Sequence, residues 1–371
     1  MPRYGIDLRL HAYAPGGISR YARRLAEHIP PLLHPDEALV RFYHRRERSP
    51  LASPAEAHRL WTPPHHRLEG WSLGVELLPR RLSLFHATDF IPPRWGARHF
   101  VATIHDLNFL HYPQYLTAEA RRYYNDQIEA AIRRADALLA DSFATRDDLH
   151  RLLGVPPQSV EVIHLAADER FRPLPEAQVE AVLRRYGLER GYLLFVGTWE
   201  PRKNLKGLID ALALLHARGE RRTLVIAGRR GWLYDDLPAY AERRGVGEAV
   251  RFLEGVPLEA LIALYNGARL LALVSFYEGF GLPVLEALRC RTPVVAAARA
   301  SLPEVTGEGG LLVEPESPEA IAEAMLRLCR DEALHAAKRE AGIRHAATFR
   351  WERTAAETLA VYRRVVGERS G

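Results

Sequence analysis

The chain has 371 residues, more than one hydrophobic core usually spans, so we expect two domains. Its 47% hydrophobic and 26% charged residues exclude disordered and fibrous classes. The net charge is +5, and no basic stripe interleaved with stacking aromatics favours nucleic-acid binding. Two cysteines without zinc spacing fit a reducing cytoplasm. The N-terminal stretch lacks the apolar core of a signal peptide, and no apolar run is long enough to predict a spanning helix.

In the first half, short β-like runs alternate with longer amphipathic segments, the pattern of parallel strands joined by helices. The predicted strands are RYGIDLRL (3–10), LVRFYH (39–44), LFHAT (84–88), FVATIHD (100–106), ALLAD (137–141) and VEVIHL (160–165). The predicted helices cover 18–29, 117–135 and 145–154, with Thr117 and Thr145 as N-caps. Residues 45–80 are loop-rich, and their two tryptophans either line a variable binding surface or take part in ordinary packing.

The second half begins with residues 166–190, which predict a linker leading into a short helix. The strands that follow are YLLFVG (192–197), TLVIAG (223–228), VRFLEG (250–255), RLLALVS (269–275), TPVVAAA (292–298) and GLLVEP (310–315). Helices are predicted at 204–219, 257–268, 283–290, 317–332 and 351–366. Near-continuous aliphatic residues in these strands indicate burial on both faces of the sheet.

The sequence therefore predicts an α/β protein of two doubly wound, Rossmann-like domains facing a central cleft. We expect an N-terminal domain over 1–168, a linker over 169–190 and a second domain over 191–347. The C-terminal helix, 348–371, is expected to pack back towards the first domain.

In a parallel α/β sheet, ligands bind outside the carboxyl ends of the strands. Four loops of the second domain follow such ends: TWEPRKN, RRGWLYDD, FYEGFGLP and RASLPE. Pro283 suits the first position of a helix, which would place Glu286 in its first turn and Glu278 in the loop before it. Taken alone, Glu286 could equally be an acid near a helix N-terminus that only stabilises the helix dipole.

Together these loops carry the chemistry of an oxygen-rich anionic ligand. Gly279 and Gly281 let backbone N–H groups point into the cleft. The two carboxylates can accept hydrogen bonds from vicinal hydroxyls, and Arg202 with Lys203 supplies positive charge for a diphosphate. A nucleotide sugar combines these features, although the basic pair could also be solvated surface charge.

The first domain offers candidates at the same edge of its sheet. Gly16 and Gly17 lie between the first strand and helix without forming GxGxxG, so they either make a tight turn or approach a phosphate. Polar residues follow two other strands, and each is either a packed residue or a contact to an acceptor or sugar: Asp89, His105, Asp106, Asn108 and Tyr112.

Four stretches make the chain resemble the retaining glycosyltransferases of family four, which have the GT-B fold. They are FVGTWEPRKNL, the acid–seven–acid motif in SFYEGFGLPVLEAL, TPVVAAARASLPEVTGEGGLLVEP and FRWERTAAETLAVYRRV. The likeness runs end to end, is strongest in the second domain, and is closest to the mannosyltransferase-like branch.

The resemblance implies roles for individual residues. Glu286 would hold the ribose of the nucleotide, and Arg202 with Lys203 would bind the diphosphate. Gly17 would approach the diphosphate from the other domain, and His105 would contact the sugar. Glu278 would face the transferred sugar together with Gly279, Phe280, Gly281 and Leu282. Thr198 stands where many members carry an arginine, which leaves open which of the two cations replaces that charge.

The expected function is a retaining transfer of a hexose from a nucleotide-diphosphate sugar to a glycan or lipid-linked acceptor in cell-surface polysaccharide synthesis. GDP-mannose is favoured as donor, with UDP-sugars open. No cofactor is expected, and no metal, since there is no DxD triplet. The alternatives are a nucleotide-sugar epimerase or phosphorylase of the same fold, or a non-catalytic nucleotide-sugar-binding protein.

We expect a cytoplasmic protein, with or without peripheral placement at the inner face of the membrane. Arg20, Arg23 and Arg24 on the first helix either contact an anionic membrane or form a solvated helix face.

Overall fold

The computed structural model describes residues 1–13, 16–52, 55–115, 117–231 and 236–367. The chain divides into two compact units. The first comprises Met1–Leu165 and Arg350–Gly371, and the second comprises Ala166–Phe349. No helix among the described residues combines the length and the apolar composition that a membrane crossing requires.

Up to residue 165 the elements are β1 (Arg3–Asp7), α1 (Gly17–His28), β2 (Ala38–His44), β3 (Ala57–Leu60), α2 (Glu69–Leu77), β4 (Leu82–Ala87), β5 (Ala97–Ile104), α3 (Asn108–His111), α4 (Ala118–Arg134), β6 (Ala137–Ala140), α5 (Phe143–Leu153) and β7 (Val160–Val162). The remainder contains α6 (Glu176–Arg185), β8 (Leu193–Val196), α7 (Leu205–Ala217), β9 (Leu224–Gly228), α8 (Leu237–Arg243), β10 (Val250–Glu254), α9 (Leu258–Gly267), β11 (Leu270–Leu273), α10 (Leu282–Arg289), β12 (Val294–Ala297), α11 (Leu302–Thr306), β13 (Gly310–Val313), α12 (Pro318–Arg330), α13 (Glu332–Ala346) and α14 (Trp351–Gly367).

The first unit is built on a parallel sheet of seven strands in the order β3-β2-β1-β4-β5-β6-β7. The six strands predicted for this half are present; β2, β4 and β5 begin one to three residues earlier than predicted, and β1, β4, β5, β6 and β7 end earlier. The loop-rich prediction for 45–80 was incomplete, because β3 and α2 both fall there. The four residues of β3 show no alternation of apolar and polar side chains that would mark a strand.

The last helix, α14, belongs to the first unit and is tied to its sheet by a buried polar chain. The Tyr362 hydroxyl lies 2.6 Å from His86 Nδ1, and His86 Nε2 lies 2.7 Å from Thr103 Oγ1. Burial lowers the pKa of His86 to about 3, so the ring is neutral and can donate from one nitrogen and accept at the other. These bonds satisfy polar groups that would otherwise be costly to bury.

The second unit contains a parallel sheet of six strands in the order β10-β9-β8-β11-β12-β13. The side chains of β8, β9, β11 and β12 are almost all buried, as their aliphatic sequences predict. The chain order reverses between the neighbouring strands β8 and β11. Ligands of doubly wound sheets bind at such a switch point, so this topology predicts a binding site at the loops after β8 and β11.

Several helix boundaries differ from the prediction. Ser142, not Thr145, caps α5, since its Oγ accepts from the Thr145 N–H at 3.1 Å. Helix α10 begins at Leu282, so Pro283 is its second residue and Glu286 lies in its second turn rather than its first. The short helices α3, α8 and α11 and the longer α13 were not predicted.

Strands β8 and β9 approach each other closely at Gly228. A Cβ at Gly228 would lie 1.8 Å from the carbonyl oxygen of Gly197, the residue directly after β8. The obstructing atom is backbone, so it cannot move aside as a flexible side chain would. Only glycine at position 228 therefore allows β9 to pair in this register with β8, the strand that leads into the first loop of the switch point.

We expect Gly228→Ala to lower the free energy of unfolding by about 3 kcal/mol or more, because the added methyl group overpacks a backbone contact. Urea denaturation measures the change. The control is Gly367→Ala, where no heavy atom of the described residues, apart from the helix's own nearby backbone, lies within 4 Å of the added Cβ. That control should shift the free energy by no more than about 0.5 kcal/mol. Equal, small effects of the two substitutions would contradict the close approach.

Candidate functional site

A buried cluster of charges joins the loops that follow β8 and β11. Lys203 Nζ lies 2.6 Å from Glu278 Oε1 and 2.7 Å from Oε2. Arg202 Nη1 lies 3.1 Å from Glu278 Oε2, and Arg202 Nη2 lies 2.8 Å from Glu200 Oε1. Ser275 Oγ, at 2.7 Å, donates to Glu278 Oε1. Arg202 and Lys203, which the sequence placed in the loop next to that of Glu278, are therefore in direct contact with it.

The cluster holds Glu278 in its ionised form. Burial alone would raise the pKa of the Glu278 carboxyl, but Lys203 and Arg202 lower it to about 2. Burial and the adjacent Arg202 guanidinium lower the pKa of Lys203, and Glu278 opposes that shift. The carboxylate thus stabilises two neighbouring cations that would otherwise repel each other.

Asn204 explains why this loop keeps its shape. It occupies the left-handed region, with φ 56° between the short turn at Pro201–Lys203 and the start of α7. Its side-chain nitrogen lies 3.2 Å from the carbonyl oxygen of Val274 and 2.6 Å from that of Pro315. A single amide therefore ties the loop after β8 to those after β11 and β13, and asparagine tolerates the left-handed conformation better than most residues do.

The loop after β11 is held from the opposite side by Ser301. Its Oγ lies 2.9 Å from the carbonyl oxygen of Glu278 and 2.8 Å from that of Phe280. Gly281 then reverses the chain into α10 with φ 100°, a conformation that other residues resist. Phe280 itself is buried, with its ring edge against Phe349.

Glu286 lies on α10, one turn beyond the loop. It is buried, and its Oε2 accepts from the Tyr265 hydroxyl at 2.8 Å. Thr198 and Leu282 are half-buried at the same edge of the sheet, beside the charged cluster in sequence. The loop after β9 is described only as far as Gly231, so the rest of the predicted RRGWLYDD segment up to 235 lies outside the described residues.

In the first unit, the candidates Asp89, His105 and Asp106 follow β4 and β5 at the carboxyl edge of the sheet, as predicted. His105 has a partner at each ring nitrogen. Nδ1 lies 2.6 Å from Asp141 Oδ2, and Nε2 lies 2.8 Å from the carbonyl oxygen of Thr88. A carbonyl oxygen can only accept, so Nε2 must carry a hydrogen.

This arrangement favours a doubly protonated imidazolium. Burial alone would lower the pKa of His105, but the carboxylates of Asp141 and Asp89 and the Thr88 carbonyl together raise it to about 9. Burial raises the pKa of Asp141, and the imidazolium opposes that shift. The proton belongs on the ring, because a neutral imidazole would turn a bare nitrogen towards one of its two acceptors.

The other candidates of the first unit make local contacts. His65 bonds to Asp89 through Nε2, and the Asn108 N–H donates to Asp106 Oδ1 at 3.0 Å. The Gly16 N–H donates to Ser19 Oγ at 2.8 Å, which closes the first turn of α1. Gly17 is the first residue of that helix, and Tyr112 follows α3.

Several residues of these networks were not predicted: Glu200, Asp141, Tyr265, Ser275 and Ser301. Asp141 and Ser275 end predicted strands, the same feature that identified His105. Asp141 and Ser275 could therefore have been predicted from their places at the ends of strands. Tyr265 lies within helix α9, in its last turn, where sequence position gives no indication of a polar partner.

We expect Lys203→Met to lower the free energy of unfolding by about 3–5 kcal/mol, because it leaves the buried Glu278 carboxylate without its closest cation. Glu278→Gln should also destabilise. The double substitution should cost much less than the sum of the two, since neither group then leaves the other's charge unpaired and Arg202 keeps its contact with Glu200. Urea denaturation of all four proteins gives the coupling energy.

The control for this cycle is Lys206→Met. Lys206 pairs with Asp236 at 3.0 Å with both side chains more than 40% exposed, so its loss should cost no more than about 1 kcal/mol. Additive effects of the Lys203 and Glu278 substitutions would contradict the buried pair.

The His105 pair predicts a specific pH dependence. Its folded-state pKa is raised from 6.5 to about 9, so its stabilisation is fully present below pH 6.5 and is lost as the pH rises through 9. We expect a loss of about 3 kcal/mol over that range, which follows from the size of the shift. Asp141→Asn should remove most of this slope, while Asp126→Asn, on the exposed face of α4, should retain it. A wild-type stability that is flat between pH 6.5 and 9 would contradict the pairing.

Comparison with known proteins agrees with this architecture. The model for glycosyl transferases group 1 matches residues 185–345, and that for glycosyltransferase family 4 matches residues 15–171. The O-antigen chain mannosyltransferase B of Escherichia coli is 34% identical over 311 residues, which are 83% of this chain and 79% of that protein. A D-inositol 3-phosphate glycosyltransferase of Corynebacterium glutamicum (strain R) is 34% identical over 255 residues, or 66% of this chain and 60% of that protein.

Solved structures share the fold across the whole chain. Sucrose-phosphate synthase from Thermosynechococcus elongatus has a TM-score of 0.80 at 20% identity, covering 99% of this chain and 100% of its own. Anabaena HepE in complex with UDP-glucose has a TM-score of 0.75 at 17% identity, covering 97% of this chain and 100% of its own. With two doubly wound units, the α/β prediction and its GT-B assignment are confirmed. The chain belongs to the family-four glycosyltransferases of GT-B fold.

Proposed function

We propose that the protein transfers a hexose, with mannose favoured, from a nucleotide-diphosphate sugar to a glycan or lipid-linked acceptor, with retention at the anomeric carbon. The pathway we infer is the synthesis of a cell-surface polysaccharide. The observation that carries this proposal is the buried contact of Lys203 and Arg202 with Glu278 at the switch point of the second sheet.

The chemistry of the step explains why cations are needed there. When the bond between sugar and phosphate breaks, negative charge develops on the departing diphosphate. Cations already fixed in place stabilise that charge without reorganisation, and removing one such group commonly costs roughly 3–4 kcal/mol of transition-state stabilisation. Lys203 and Arg202 are fixed by Glu278, so we assign the diphosphate to them.

Glu278 acts in this proposal by positioning rather than by nucleophilic attack. Donors from Lys203, Arg202 and Ser275 surround its two oxygens. Its lone pairs are therefore largely committed to cations and a hydroxyl, which weakens it as a nucleophile. We infer that the acceptor attacks from the leaving-group face, with a phosphate oxygen taking its proton, and that Glu278 faces the sugar hydroxyls.

Glu286 is proposed to bind the ribose. Its Oε2 already accepts from Tyr265, which fixes the carboxylate so that the remaining oxygen can accept from a vicinal diol. The backbone of Gly279 and Gly281, with Phe280, Leu282 and Thr198, would line the sugar side of the pocket.

The first unit is proposed to supply the acceptor contacts. Gly16 and Gly17 lie at the start of α1, where N–H groups can meet a phosphate. Asp89, Asp106 and Tyr112 remain candidates for acceptor or sugar contacts. Because both nitrogens of His105 have partners, we propose that its positive charge, rather than a proton transfer, acts on the ligand.

The identities of donor and acceptor rest on the relatives. The Escherichia coli relative is named for mannosyl transfer to the O-antigen chain, which favours a mannose donor and a saccharide acceptor. The Anabaena neighbour was solved with UDP-glucose, so a UDP-sugar is the second donor to test. We propose that no metal is required, since two protein cations meet the charge of the leaving group.

A screen for heat-stabilisation by GDP-, UDP- and ADP-sugars tests the donor, because a ligand that binds only the folded state raises its melting temperature. We expect GDP-mannose to give the largest increase. Product formation should then need both donor and acceptor, should survive a chelator, and should retain the α-anomeric configuration by NMR. Donor turnover without acceptor would indicate an epimerase, and binding without turnover across acceptors would indicate a non-catalytic protein.

Two variants separate binding from chemistry. Lys203→Ala should lower kcat by roughly 100- to 1,000-fold, as expected on removal of a group that stabilises developing charge. Glu286→Gln should mainly raise the KM for the donor. Lys206→Met, which alters an exposed ion pair with Asp236 in the first turn of α7, is the control and should leave both parameters unchanged. A wild-type kcat in Lys203→Ala together with a wild-type donor KM in Glu286→Gln would overturn the assignment of the site.

A further inference from the structure

The surface of the first unit carries a concentration of exposed apolar side chains. Eleven large hydrophobic side chains are exposed among the described residues, and five of them fall within residues 61–78. Their exposed fractions are 68% for Trp61, 60% for Leu68, 49% for Trp71, 58% for Val75 and 57% for Leu78. Single exposed hydrophobics need no explanation, but five in 18 residues do.

Four of the five form one stripe along α2 and its two flanking residues. At 100° per residue, Leu68, Trp71, Val75 and Leu78 fall within an arc of about 80°. The opposite side of the helix is buried through Glu69, Leu73 and Leu77. The helix therefore has two apolar faces, one packed in the core and one turned to solvent.

The fifth residue, Trp61, is held beside this helix. Its N–H donates to Glu76 Oε2 at 2.7 Å, and the Thr62 N–H donates to Glu76 Oε1 at 2.9 Å. Glu76 lies in the last turn of α2, and its carboxylate fixes the loop at Trp61 and Thr62 to the helix. The five side chains, Trp61, Leu68, Trp71, Val75 and Leu78, are called the α2 stripe below.

Arginines are in direct contact with the α2 stripe. The guanidinium carbon of Arg45 lies 4.2 Å from the ring centre of Trp61, and that of Arg94 lies 4.2 Å from the ring centre of Trp71. Two further exposed arginines flank the helical part of the stripe in sequence. Arg67 directly precedes Leu68 and lies 3.9 Å from the exposed Glu119, and Arg81 follows Leu78 by three residues. Cations thus accompany the apolar residues along the whole segment.

The two acids of the same segment do not offset this charge at the surface. Glu69 is buried and pairs with Arg9 at 2.6 Å. Glu76 is engaged by the backbone of Trp61 and Thr62. The combination that faces solvent is apolar side chains, two tryptophans and guanidinium groups.

We propose that the α2 stripe docks the protein onto an anionic phospholipid surface, with the apolar residues entering the headgroup boundary and the arginines binding lipid phosphates. Tryptophan and arginine beside an apolar helix face are the composition of interfacial helices. A second copy of the chain is disfavoured as the occupant, because pairing this face with itself would bring arginines against arginines.

This surface differs from the one that the sequence suggested. Arg23 and Arg24 on α1 both pair with Glu27, at 3.4 and 2.9 Å, and Arg23 also donates to the carbonyl oxygen of Ser49. Arg23 and Arg24 are thus partly neutralised within their own helix, and no apolar stripe accompanies the arginines of α1 among the exposed residues that the structure describes.

Co-sedimentation with vesicles tests the proposal without any need for turnover. We expect the wild-type protein to bind phosphatidylcholine vesicles that contain phosphatidylglycerol, and to bind pure phosphatidylcholine far more weakly. Val75→Ser/Leu78→Ser should weaken binding at least about tenfold, since it removes apolar area from the interface. Arg45→Gln/Arg94→Gln should weaken it about thirtyfold, because each cation near an anionic surface contributes about fivefold.

Matched controls separate the stripe from general changes in polarity or charge. Leu152→Ser/Leu312→Ser alters two exposed leucines elsewhere. Arg133→Gln/Arg184→Gln removes two exposed arginines from other helices, with the same change in net charge. Both controls should bind anionic vesicles as the wild type does.

Quenching of tryptophan fluorescence by brominated lipids tests the wild-type protein itself, so the proposal does not depend on any variant folding correctly. Trp61 and Trp71 should be quenched in anionic vesicles. Absence of quenching, equal binding to uncharged vesicles, or wild-type binding by the stripe variants would overturn the proposal. So would a dimer in solution that the stripe substitutions dissociate while vesicles remain unbound.

Discussion

The arrangement of the second unit depends on one buried carboxylate between two cations. Lys203 and Arg202 are adjacent in sequence and close in space, and without Glu278 their charges would repel each other in a region from which water is largely excluded. The contact also joins the loops after β8 and β11, the neighbouring strands at which the chain order reverses. Positive charge is therefore fixed at the switch point before any ligand arrives, which is the condition for stabilising a departing diphosphate at little reorganisation cost.

The first unit uses a different means of fixing charge at its sheet edge. There the fixed positive charge is that of His105, which Asp141 and the Thr88 carbonyl keep protonated. The raised pKa of His105 links the stability of this unit to pH in a range where the Glu278 carboxyl does not titrate, since the pKa of Glu278 is lowered to about 2. Each unit thus carries a buried ion pair at the edge where its loops emerge, and each pair can be tested separately.

Much of this could be predicted from the sequence, because strands buried on both faces have an unmistakable aliphatic composition and parallel sheets place all loops of one kind at one edge. That reasoning brought Arg202, Lys203 and Glu278 together correctly. It failed where structure depends on contacts distant in sequence. Helix α2 was missed because its outer face is apolar, which hides the periodicity of an amphipathic helix, and the start of α10 was displaced by one residue because Gly281, not Leu282, makes the left-handed turn.

The central claim is that the Lys203 cluster receives the second phosphate of a nucleoside diphosphate. Calorimetric titration of GDP, UDP and the matching monophosphates into wild-type protein and Lys203→Met tests it most directly. The account predicts that the substitution weakens the diphosphate that binds best by at least about tenfold, the scale of a charge-assisted hydrogen bond, and leaves its monophosphate nearly unchanged. Equal affinity of the two proteins for the diphosphate, or an equal loss for diphosphate and monophosphate, would contradict it.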